Sequence, residues 1–516
     1  MIGDIRHFQQ SIRLSLLVFK MILVYSVICP RALALLQCSS NPCEVFNHTC
    51  CPTYPCEDVQ IPAGKSILEI ASFTALFNDK GMAAVRIAVD KINNDSSIFP
   101  DSIVRARFAA ATPSKVSGTS SFVCASLWPD FSLANKHNVS LFVGDTFSFT
   151  TSSFGHIAHI MDVPIISPTA TSPIFSDKTT FGTFSRVFPP DNKQGKAIAH
   201  LVKGFGWSLV AAISSSDEYG SALMDEFSSA SKSLGIEVIH AMQFNPRLSA
   251  KPQLERIRDS GARIIIAFLL DGDAQNVFKA ARDLGMVSTK YVWIGGDSMA
   301  DFTDPIMPDG FLATSGFVNT SSAEYYEYKN DWVAAYEASN RCSHCEFQDP
   351  TGYTNVVGLY TYDATILGIK ALYAAAKKPD YGGIANVTNV LESIRGLTMP
   401  GVTGTIAMDE KGDRIGAYSV RNARVEGDTI EWTTVALAFP TAPIEMLEGA
   451  DIHWFGSRTT VPVDRPVLVT EFNQPTSGLR GFITALASIG LLISLGMLAF
   501  NIRYRNNTFI QVRTGL

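Results

Sequence analysis

The sequence lacks the motifs of the common enzyme classes. Its 516 residues contain no glycine-rich phosphate-binding loop, no His-Glu-x-x-His pair and no Gly-x-Ser-x-Gly elbow. His156 and His159 stand three residues apart on a predicted helix, but a third ligand is missing, so we expect them on a solvated helix face. These absences predict a protein that is not an enzyme and that uses no metal or other cofactor.

Charge is also scarce in this chain. Charged residues make up 17% of the sequence against 46% hydrophobic residues, and the formal net charge is −6. No basic block occurs ahead of the C-terminal region, so the composition does not indicate nucleic-acid binding. A chain of this length and hydrophobic content can bury a large core, and it favours two or more domains.

Cysteine is absent after Cys345. Cys29 lies in a predicted leader peptide, and an even number of candidates for disulfides remains: Cys38, Cys43, Cys50, Cys51, Cys56, Cys124, Cys342 and Cys345. Five of these crowd between residues 38 and 56, and we expect one of the five to reach Cys124. Cys342 and Cys345 resemble half of a metal site, but no second Cys/His pair lies nearby in the sequence. A local disulfide, or a bond to the N-terminal cluster, is therefore favoured.

One long uncharged run is present, at residues 481–500. As a helix it would be about 30 Å long, which matches the hydrocarbon core of a bilayer. Arg480 stands alone before this run, whereas Arg503 and Arg505 follow it directly. Because basic residues prefer the cytosolic side, the flanks predict a plasma-membrane protein with an extracellular N-terminus and a cytosolic tail at 501–516.

The N-terminus is typical of a secreted segment. Residues 1–34 have the order of a signal peptide, with an apolar stretch at 14–28 and small residues at Ala32 and Ala34. The alternative is an uncleaved N-terminal anchor. Glycosylation is predicted at five Asn-x-Ser/Thr sites ahead of the membrane segment: Asn47, Asn94, Asn138, Asn319 and Asn386.

Strand and helix patterns alternate between residues 61 and 450. β-Branched runs predict strands at 67–73, 103–109, 140–143, 164–167, 209–213, 237–243, 263–269 and 291–294. Amphipathic stretches predict helices at 81–94, 153–161, 194–204, 220–234, 253–260 and 274–284. This alternation predicts an α/β fold with parallel sheets covered on both faces, and the number of strands favours two doubly wound lobes over one. An aromatic helical run at 325–336 is expected to fill the core or a lobe contact.

The loops after these strands carry polar residues of two kinds. Ser148 and the loop 169–171, with backbone N–H groups at a helix start, are suited to hold a carboxylate. Asp191, Asp297 and the ring face of Tyr219 are suited to hold an ammonium group. In such sheets ligands bind beyond the carboxyl ends of the strands, so we expect one site for a small zwitterion. The alternative is that these residues cap helices and pack.

The motifs that carry a family resemblance lie in the same loops. They are Thr169-Ala170-Thr171-Ser172, Ser176-Asp177-Lys178-Thr179, Phe184-Ser185-Arg186-Val187-Phe188-Pro189-Pro190-Asp191, Glu218-Tyr219-Gly220 and Trp293-Ile294-Gly295-Gly296-Asp297. With the stretch from Gly144 onward they resemble the extracellular module of class C G-protein-coupled receptors, the family of metabotropic glutamate and GABA-B receptors. That resemblance implies a hinged cleft between two lobes of the periplasmic-binding-protein type.

The resemblance also implies domain bounds and ligand-binding residues. A Cys-rich segment at 35–60 would precede a bilobed domain at 61–450, with lobe I near 61–185 and 320–400 and lobe II near 186–319 and 401–450. A linker at 451–480 would lead to the membrane helix. The α-carboxylate and α-ammonium of an amino acid would be held by Ser148, Thr169, Ala170, Thr171, Asp191, Tyr219 and Asp297.

Two departures from the metabotropic branch stand out. Glutamate-binding relatives place basic residues on the lobe I wall for the distal carboxylate, whereas the loop after the first strand offers only Lys80. The metabotropic receptors also insert a cysteine-rich module before the membrane, where this chain has a short Pro-punctuated linker at 456–466. The end of the membrane helix, at 500–506, resembles the first helix of GABA-B-type receptors. Glutamate is therefore not the expected ligand.

These features predict the ligand-sensing part of a membrane receptor, which binds an amino acid or analogue and relays closure through residues 452–478. The resemblance implies a homo- or heterodimer, and a heterotrimeric G protein is expected as partner only if the full-length chain has seven spans. With one predicted span, the sequence is expected to be the front piece of a longer receptor. The alternatives are a single-span decoy or scavenging receptor, the ectodomain of a cyclase-type receptor, and an adhesion protein with a degenerate cleft.

Overall fold

A computed structural model describes residues 64–74, 79–110, 138–338, 349–456, 458, 460–465 and 477–505. The chain forms two compact units, Met1–Arg465 and Pro466–Leu516. The predicted signal peptide, the Cys-rich segment 35–60, all eight disulfide candidates and Asn47 lie outside the described residues. The same is true of most of the predicted cytosolic tail.

Lobe I is built on a five-stranded parallel sheet with the order β2-β1-β3-β4-β5. Its elements are β1 (Ser66–Thr74), α1 (Asp79–Asn94), β2 (Ser102–Ala110), β3 (Leu141–Val143), α2 (Ser148–Ile160), β4 (Ile165–Ser167) and β5 (Phe184–Arg186). Alternate residues of one strand enter different cores, as Ile70 and Ala71 do in β1. Both faces of this sheet are therefore covered, which explains the nearly continuous apolar strands.

Lobe II is built on an eight-stranded sheet. The chain runs through α3 (Asp191–Gly204), β6 (Leu209–Ser215), α4 (Glu218–Ser233), β7 (Glu237–Phe244), α5 (Lys251–Asp259), β8 (Ile264–Phe268), α6 (Asp271–Asp283), β9 (Val292–Gly295) and β10 (Leu312–Gly316). Strands β6 to β10 are parallel in the order β7-β6-β8-β9-β10. In β8, Ile264 and Ile266 enter one core and Ile265 and Ala267 enter the other, so this sheet is also covered on both faces.

The chain then returns to lobe I before it completes lobe II. Helices α7 (Ala323–Ala338), α8 (Val356–Ala376) and α9 (Val387–Gly396) follow, and α8 packs on α1, β3 and β4. Strands β11 (Tyr418–Glu426), β12 (Thr429–Ala438) and β13 (Glu445–Met446) then extend the lobe II sheet in antiparallel fashion. Three crossings, near 187–190, 317–322 and 397–417, therefore join the two lobes.

Hydrogen bonds fasten the three crossings to one another. Arg414 donates to the Val187 carbonyl at 3.0 Å and to the Thr403 carbonyl at 2.8 Å. Asp363 in α8 accepts from the backbone N–H groups of Val402 and Thr403 at 2.9 and 3.0 Å. Tyr360 reaches the Phe317 carbonyl at 3.0 Å. A buried polar network whose members are hydrogen-bonded in this way makes the region of the crossings rigid.

The second unit contains α10 (Ser477–Arg503). It is 27 residues long and includes the predicted run 481–500. Among the described residues it is the one helix long and apolar enough to cross a membrane.

The predicted α/β class with parallel sheets is confirmed. Every strand predicted between 67 and 294 is present, while the helix predicted at 153–161 begins earlier, at Ser148. The aromatic run at 325–336 lies in α7, where Tyr325, Tyr328 and Trp332 are buried as expected for core residues.

Candidate functional site

Helix α2 begins with Ser148, at the carboxyl end of β3. Its N-cap residue, Phe147, has no side chain able to cap the helix, so the N–H groups of the first turn receive no N-cap bond. The buried Ser148 hydroxyl accepts a hydrogen bond from the Ser172 N–H at 3.1 Å and keeps its own proton for another acceptor. A helix N-terminus of this kind is suited to an anionic group.

The loop after β4 is ordered by bonds within lobe I. Thr169 donates its hydroxyl proton to the Thr146 carbonyl at 3.0 Å, and the Ala170 N–H donates to the Ser167 hydroxyl at 2.9 Å. The Thr171 carbonyl accepts from the Asp191 N–H at 2.9 Å. The Thr169 hydroxyl and the Ala170 N–H are thus bonded within the protein and shape the loop, while the Thr171 carbonyl connects the loop to α3.

Arg186 holds this loop from behind, a role that the sequence analysis did not assign. Its side chain is 0% exposed and donates to the carbonyls of Ala170 and Ser172 at 3.1 and 2.8 Å. Its Nε donates to Asp413 Oδ1 at 2.7 Å, although the two residues are 227 positions apart. Burial raises the pKa of Asp413, but the Arg186 guanidinium outweighs it and keeps that pKa below its ordinary value. The available signal was an arginine inside the apolar stretch 184–188.

Tyr219 lies in the first turn of α4, at the carboxyl end of β6. The N-cap Asp217 accepts from the Gly220 N–H at 2.8 Å and so fixes the start of the helix. The Tyr219 ring is 7% exposed, and its hydroxyl donates to Asp297 Oδ1 at 3.0 Å. Gly296 permits this approach, because a Cβ there would lie 2.3 Å from the Tyr219 hydroxyl oxygen. The contact toward the site is therefore made by the hydroxyl, with the ring face packed in the core.

Asp191 opens α3 directly after the first crossing. It is 0% exposed, and among the described residues neither of its carboxylate oxygens has a hydrogen-bond partner of ordinary geometry. Burial raises the pKa of Asp191 well above its ordinary value, and the Asp297 charge raises it further. The Thr171 hydroxyl and the Arg186 charge act in the opposite sense but do not cancel these effects. A buried carboxylate without a partner is costly, and a bound cation would offset that cost.

Asp297 shares this environment. It follows β9 and begins a short 3₁₀ turn, and burial raises its pKa, while hydrogen bonds from Tyr219 and Gln194 lower it. The Asp297 charge raises the pKa of Asp191, so the two carboxylates, which follow β9 and β5, lie close together. Perturbed carboxylates that converge in this way are typical of functional sites.

The structure places the seven predicted ligand residues along one continuous path. Ser148 and the loop 169–171 lie on lobe I, Asp191 follows the crossing, and Asp297 and Tyr219 lie on lobe II. Helix α2 of lobe I contacts α4 of lobe II beside them, so the lobes meet at this edge. The assignment of these seven residues to a ligand stays a prediction.

The remaining candidates lie elsewhere. Lys80, at the start of α1, forms an ion pair with Asp349 at 3.2 Å. His156 and His159 are exposed on α2, as expected for a solvated helix face. The His156 ring contacts the Phe181 ring, with centroids 4.8 Å apart, and the partial loss of hydration there lowers the pKa of His156. In the described part of the chain no group of three or more His, Cys, Asp or Glu residues is placed to hold a metal ion. Asn94, Asn138 and Asn386 are exposed and Asn319 is half-buried.

Comparison with known proteins shows that the chain is similar to the ligand-binding regions of receptors. The model of the family described as the receptor family ligand binding region matches residues 80–424, which include every site residue above. Metabotropic glutamate receptor-like protein E of Dictyostelium discoideum is 26% identical over 370 residues, which are 69% of this chain and 43% of that protein. Metabotropic glutamate receptor 8 of Rattus norvegicus is 24% identical over 355 residues, 60% of this chain and 38% of that protein. Metabotropic glutamate receptor 6 of Oryctolagus cuniculus is 25% identical over 386 residues, 65% of this chain and 44% of that protein. The chain thus spans less than half the length of these curated relatives.

Proposed function

The chain belongs to the receptor ligand-binding-region family, and from this premise we propose that residues 61–450 are the extracellular sensor of a membrane receptor. The ligand is an amino acid or a similar small zwitterion, bound between the lobes. Its binding closes the cleft, and closure is relayed toward the membrane helix. A heterotrimeric G protein receives the signal if the full-length chain has seven spans.

One observation carries the proposal. Asp191 is fully buried, and among the described residues no donor lies in ordinary hydrogen-bond geometry to either carboxylate oxygen, although the Thr171 hydroxyl is near enough to lower its pKa. Asp297 lies close enough to raise the pKa of Asp191, so two carboxylates share one environment. An α-ammonium group offers three donors and a positive charge, which is what this arrangement lacks.

The opposite pole of the ligand is provided for in lobe I. The Ser148 hydroxyl, at the N-terminus of α2, is the donor that we assign to the α-carboxylate, and the positive end of the helix dipole favours an anion there. Each charge-assisted hydrogen bond contributes about 1.5–3 kcal/mol. Bonds that form only when both lobes grip the ligand shift the closure equilibrium by their sum, less the cost of ordering.

A route for the relay runs through residues 454–456 and 460–465, which are fixed to lobe II. Asp464 accepts from the N–H groups of Ser208 and Leu209 at 2.6 and 2.9 Å, and the Trp207 indole donates to the Pro462 carbonyl at 2.6 Å. Trp454 is buried against Trp207, with centroids 6.0 Å apart. Movement of lobe II therefore carries this segment with it.

The experiment measures the thermal unfolding midpoint of the detergent-solubilised full chain against a panel of amino acids. A ligand that binds only the folded form at about 100 times its Kd stabilises it by roughly 2.7 kcal/mol. Asp297→Ala and Ser148→Ala are expected to abolish the shift, whereas Asp428→Asn, in the exposed turn between β11 and β12, keeps it. If both site variants respond like the parent, this site is not where the ligand binds.

A further inference from the structure

Helix α3 presents a second buried acceptor beside Asp191. Gln194 lies one turn further along the helix and is 0% exposed. Its Nε2 donates to the Thr314 hydroxyl at 2.9 Å and its amide also lowers the pKa of Asp297, yet Oε1 has no partner among the described residues. In the described part of the chain, Asp191 and Gln194 together present three buried acceptor oxygens that no donor reaches in ordinary hydrogen-bond geometry, which favours a ligand rich in N–H groups.

The loops of lobe II extend this acceptor surface into an acidic rim. The rim consists of the carboxylates that follow β6 and β8, which end at one edge of the sheet. Its members are Asp217, Glu218, Asp271 and Asp273, whereas Asp301, which follows β9, is paired with Arg421. Burial raises the pKa of Asp273 to about 6, with a further contribution from Asp217, and the same two causes raise the pKa of Glu218.

The nearby cations that the structure describes are already engaged. Arg421 pairs with Asp301, Lys193 with Asp409 and Lys80 with Asp349. Arg186 and Arg414 are buried and bonded to the crossings. A second carboxylate on the ligand would therefore meet the acidic rim without an available partner, whereas a second cation would be attracted.

We propose that the ligand is an amino acid whose side chain ends in a cation, with its α-ammonium at Asp191, Gln194 and Asp297 and its side-chain cation at the acidic rim. This inference rests on the proposed function and narrows its ligand class. An organic cation fits better than a divalent metal ion, since in the described residues no three carboxylate or imidazole side chains converge at metal-binding geometry.

The test compares three probes on the solubilised full chain by thermal unfolding: L-lysine, L-norleucine and L-glutamate. Norleucine keeps the four side-chain carbons of lysine without the terminal ammonium. A charge-assisted hydrogen bond predicts that lysine binds about tenfold or more tightly than norleucine, with glutamate weakest. Glutamate equal to lysine, or norleucine equal to lysine, overturns the inference and leaves the proposed function standing. No response to any amino acid contradicts the proposed function itself.

Two variants locate the second subsite. Asp273→Asn removes a rim charge, and Asp217→Asn removes another while asparagine still caps α4. Each is expected to lower the lysine-to-norleucine affinity ratio several-fold and to leave norleucine binding unchanged, with Asp428→Asn as the matched control. A wild-type ratio retained in both variants overturns the assignment to the rim. Stabilisation by calcium chloride alone that Asp273→Asn removes would assign the rim to a metal ion, which also overturns it.

Discussion

Two buried aspartates near the crossings between the lobes, Asp413 in the third crossing and Asp191 directly after the first, differ in their partners. Asp413 is bonded to Arg186 at 2.7 Å and to the Ser176 hydroxyl at 2.6 Å, and its pKa is lowered. Asp191, five residues beyond Arg186, has no such partner in the described structure, and its pKa is raised. Burial penalises the charge of both carboxylates, but of the two only Asp413 is hydrogen-bonded to a cation in the described structure.

This difference separates a structural carboxylate from one that is suited to a ligand. The Arg186–Asp413 pair binds the carbonyls of Ala170 and Ser172 to the third crossing and so orders the lobe I loop. Asp191 donates its N–H to the same loop, but its carboxylate is not hydrogen-bonded to a cation among the described residues. The Arg186–Asp413 pair is thus a rigid support for the lobe I loop, whereas the Asp191 carboxylate is an acceptor suited to a ligand.

The largest expected effect comes from breaking the paired carboxylate. Arg186→Met would leave Asp413 charged and buried and the carbonyls of Ala170 and Ser172 without a donor. Loss of one partner from a buried ion pair destabilises by about 3–5 kcal/mol. Chemical denaturation of the full chain measures this loss. Arg424→Met, which breaks the exposed pair with Glu426, is the control and should stay within roughly 0.5 kcal/mol. Equal effects of the two variants would show that Arg186 is not a structural hub.

The second-largest expected effect is a gain in folding stability, in contrast to the loss expected for Arg186→Met. Because the folded pKa of Asp191 is raised, the folded state binds more protons than the unfolded state, and stability falls as the pH rises from about 4 through the folded pKa. Asp191→Asn removes this loss, so at neutral pH the variant is expected to be more stable than the parent by roughly 1–3 kcal/mol. The gain should vanish below about pH 4, the unfolded pKa of aspartate. Denaturation midpoints of the parent and the variant, measured at about pH 3.5 and about pH 7, one on each side of that pKa, test the difference.

Asp413→Asn is the matched comparison for that pH dependence. The folded pKa of Asp413 is lowered, so its stabilisation is present above the unfolded pKa and is lost as the pH falls through the folded pKa. The variant should therefore be less stable than the parent at neutral pH, and the difference should shrink in acid. If Asp191→Asn and Asp413→Asn changed stability in the same direction at neutral pH, the contrast between the two carboxylates would be wrong.

Local patterns in the sequence were sufficient for much of this architecture. The β-branched runs located β1 to β4 and β6 to β9, because an apolar strand buried on both faces needs no distant information. The start of α2 was missed, because Ser148 and Thr150 are poor helix formers, and the Thr150 hydroxyl bond to the Phe147 carbonyl at 3.0 Å becomes visible only in the structure.

Some site residues were not identified from the sequence because their roles depend on partners that are distant in the chain. Charge type suggested Asp191 and Asp297, but Arg186 acts through Asp413, a partner in a different crossing. Gln194 was missed because an unpaired amide oxygen is a property of the surroundings and leaves no mark in the sequence. In the loop 169–171, which the sequence predicts to hold a carboxylate, the Thr169 hydroxyl donates to the Thr146 carbonyl, a bond that only the structure reveals.

The smallest expected effect tests how far the carboxylates Asp191 and Asp297 depend on the Tyr219 hydroxyl. Tyr219→Phe keeps the buried ring and removes the hydroxyl that donates to Asp297 Oδ1 at 3.0 Å. Loss of one hydrogen bond to a buried acceptor costs about 0.5–1.5 kcal/mol, and the pKa of Asp297 should rise because a bond that lowers it is gone. Ligand affinity should therefore weaken most at the acid end of the pH range, where Asp297 in the variant is protonated first. Affinity measured by thermal shift at several pH values follows this change, and an equal loss at every pH would mean that Tyr219 serves packing alone.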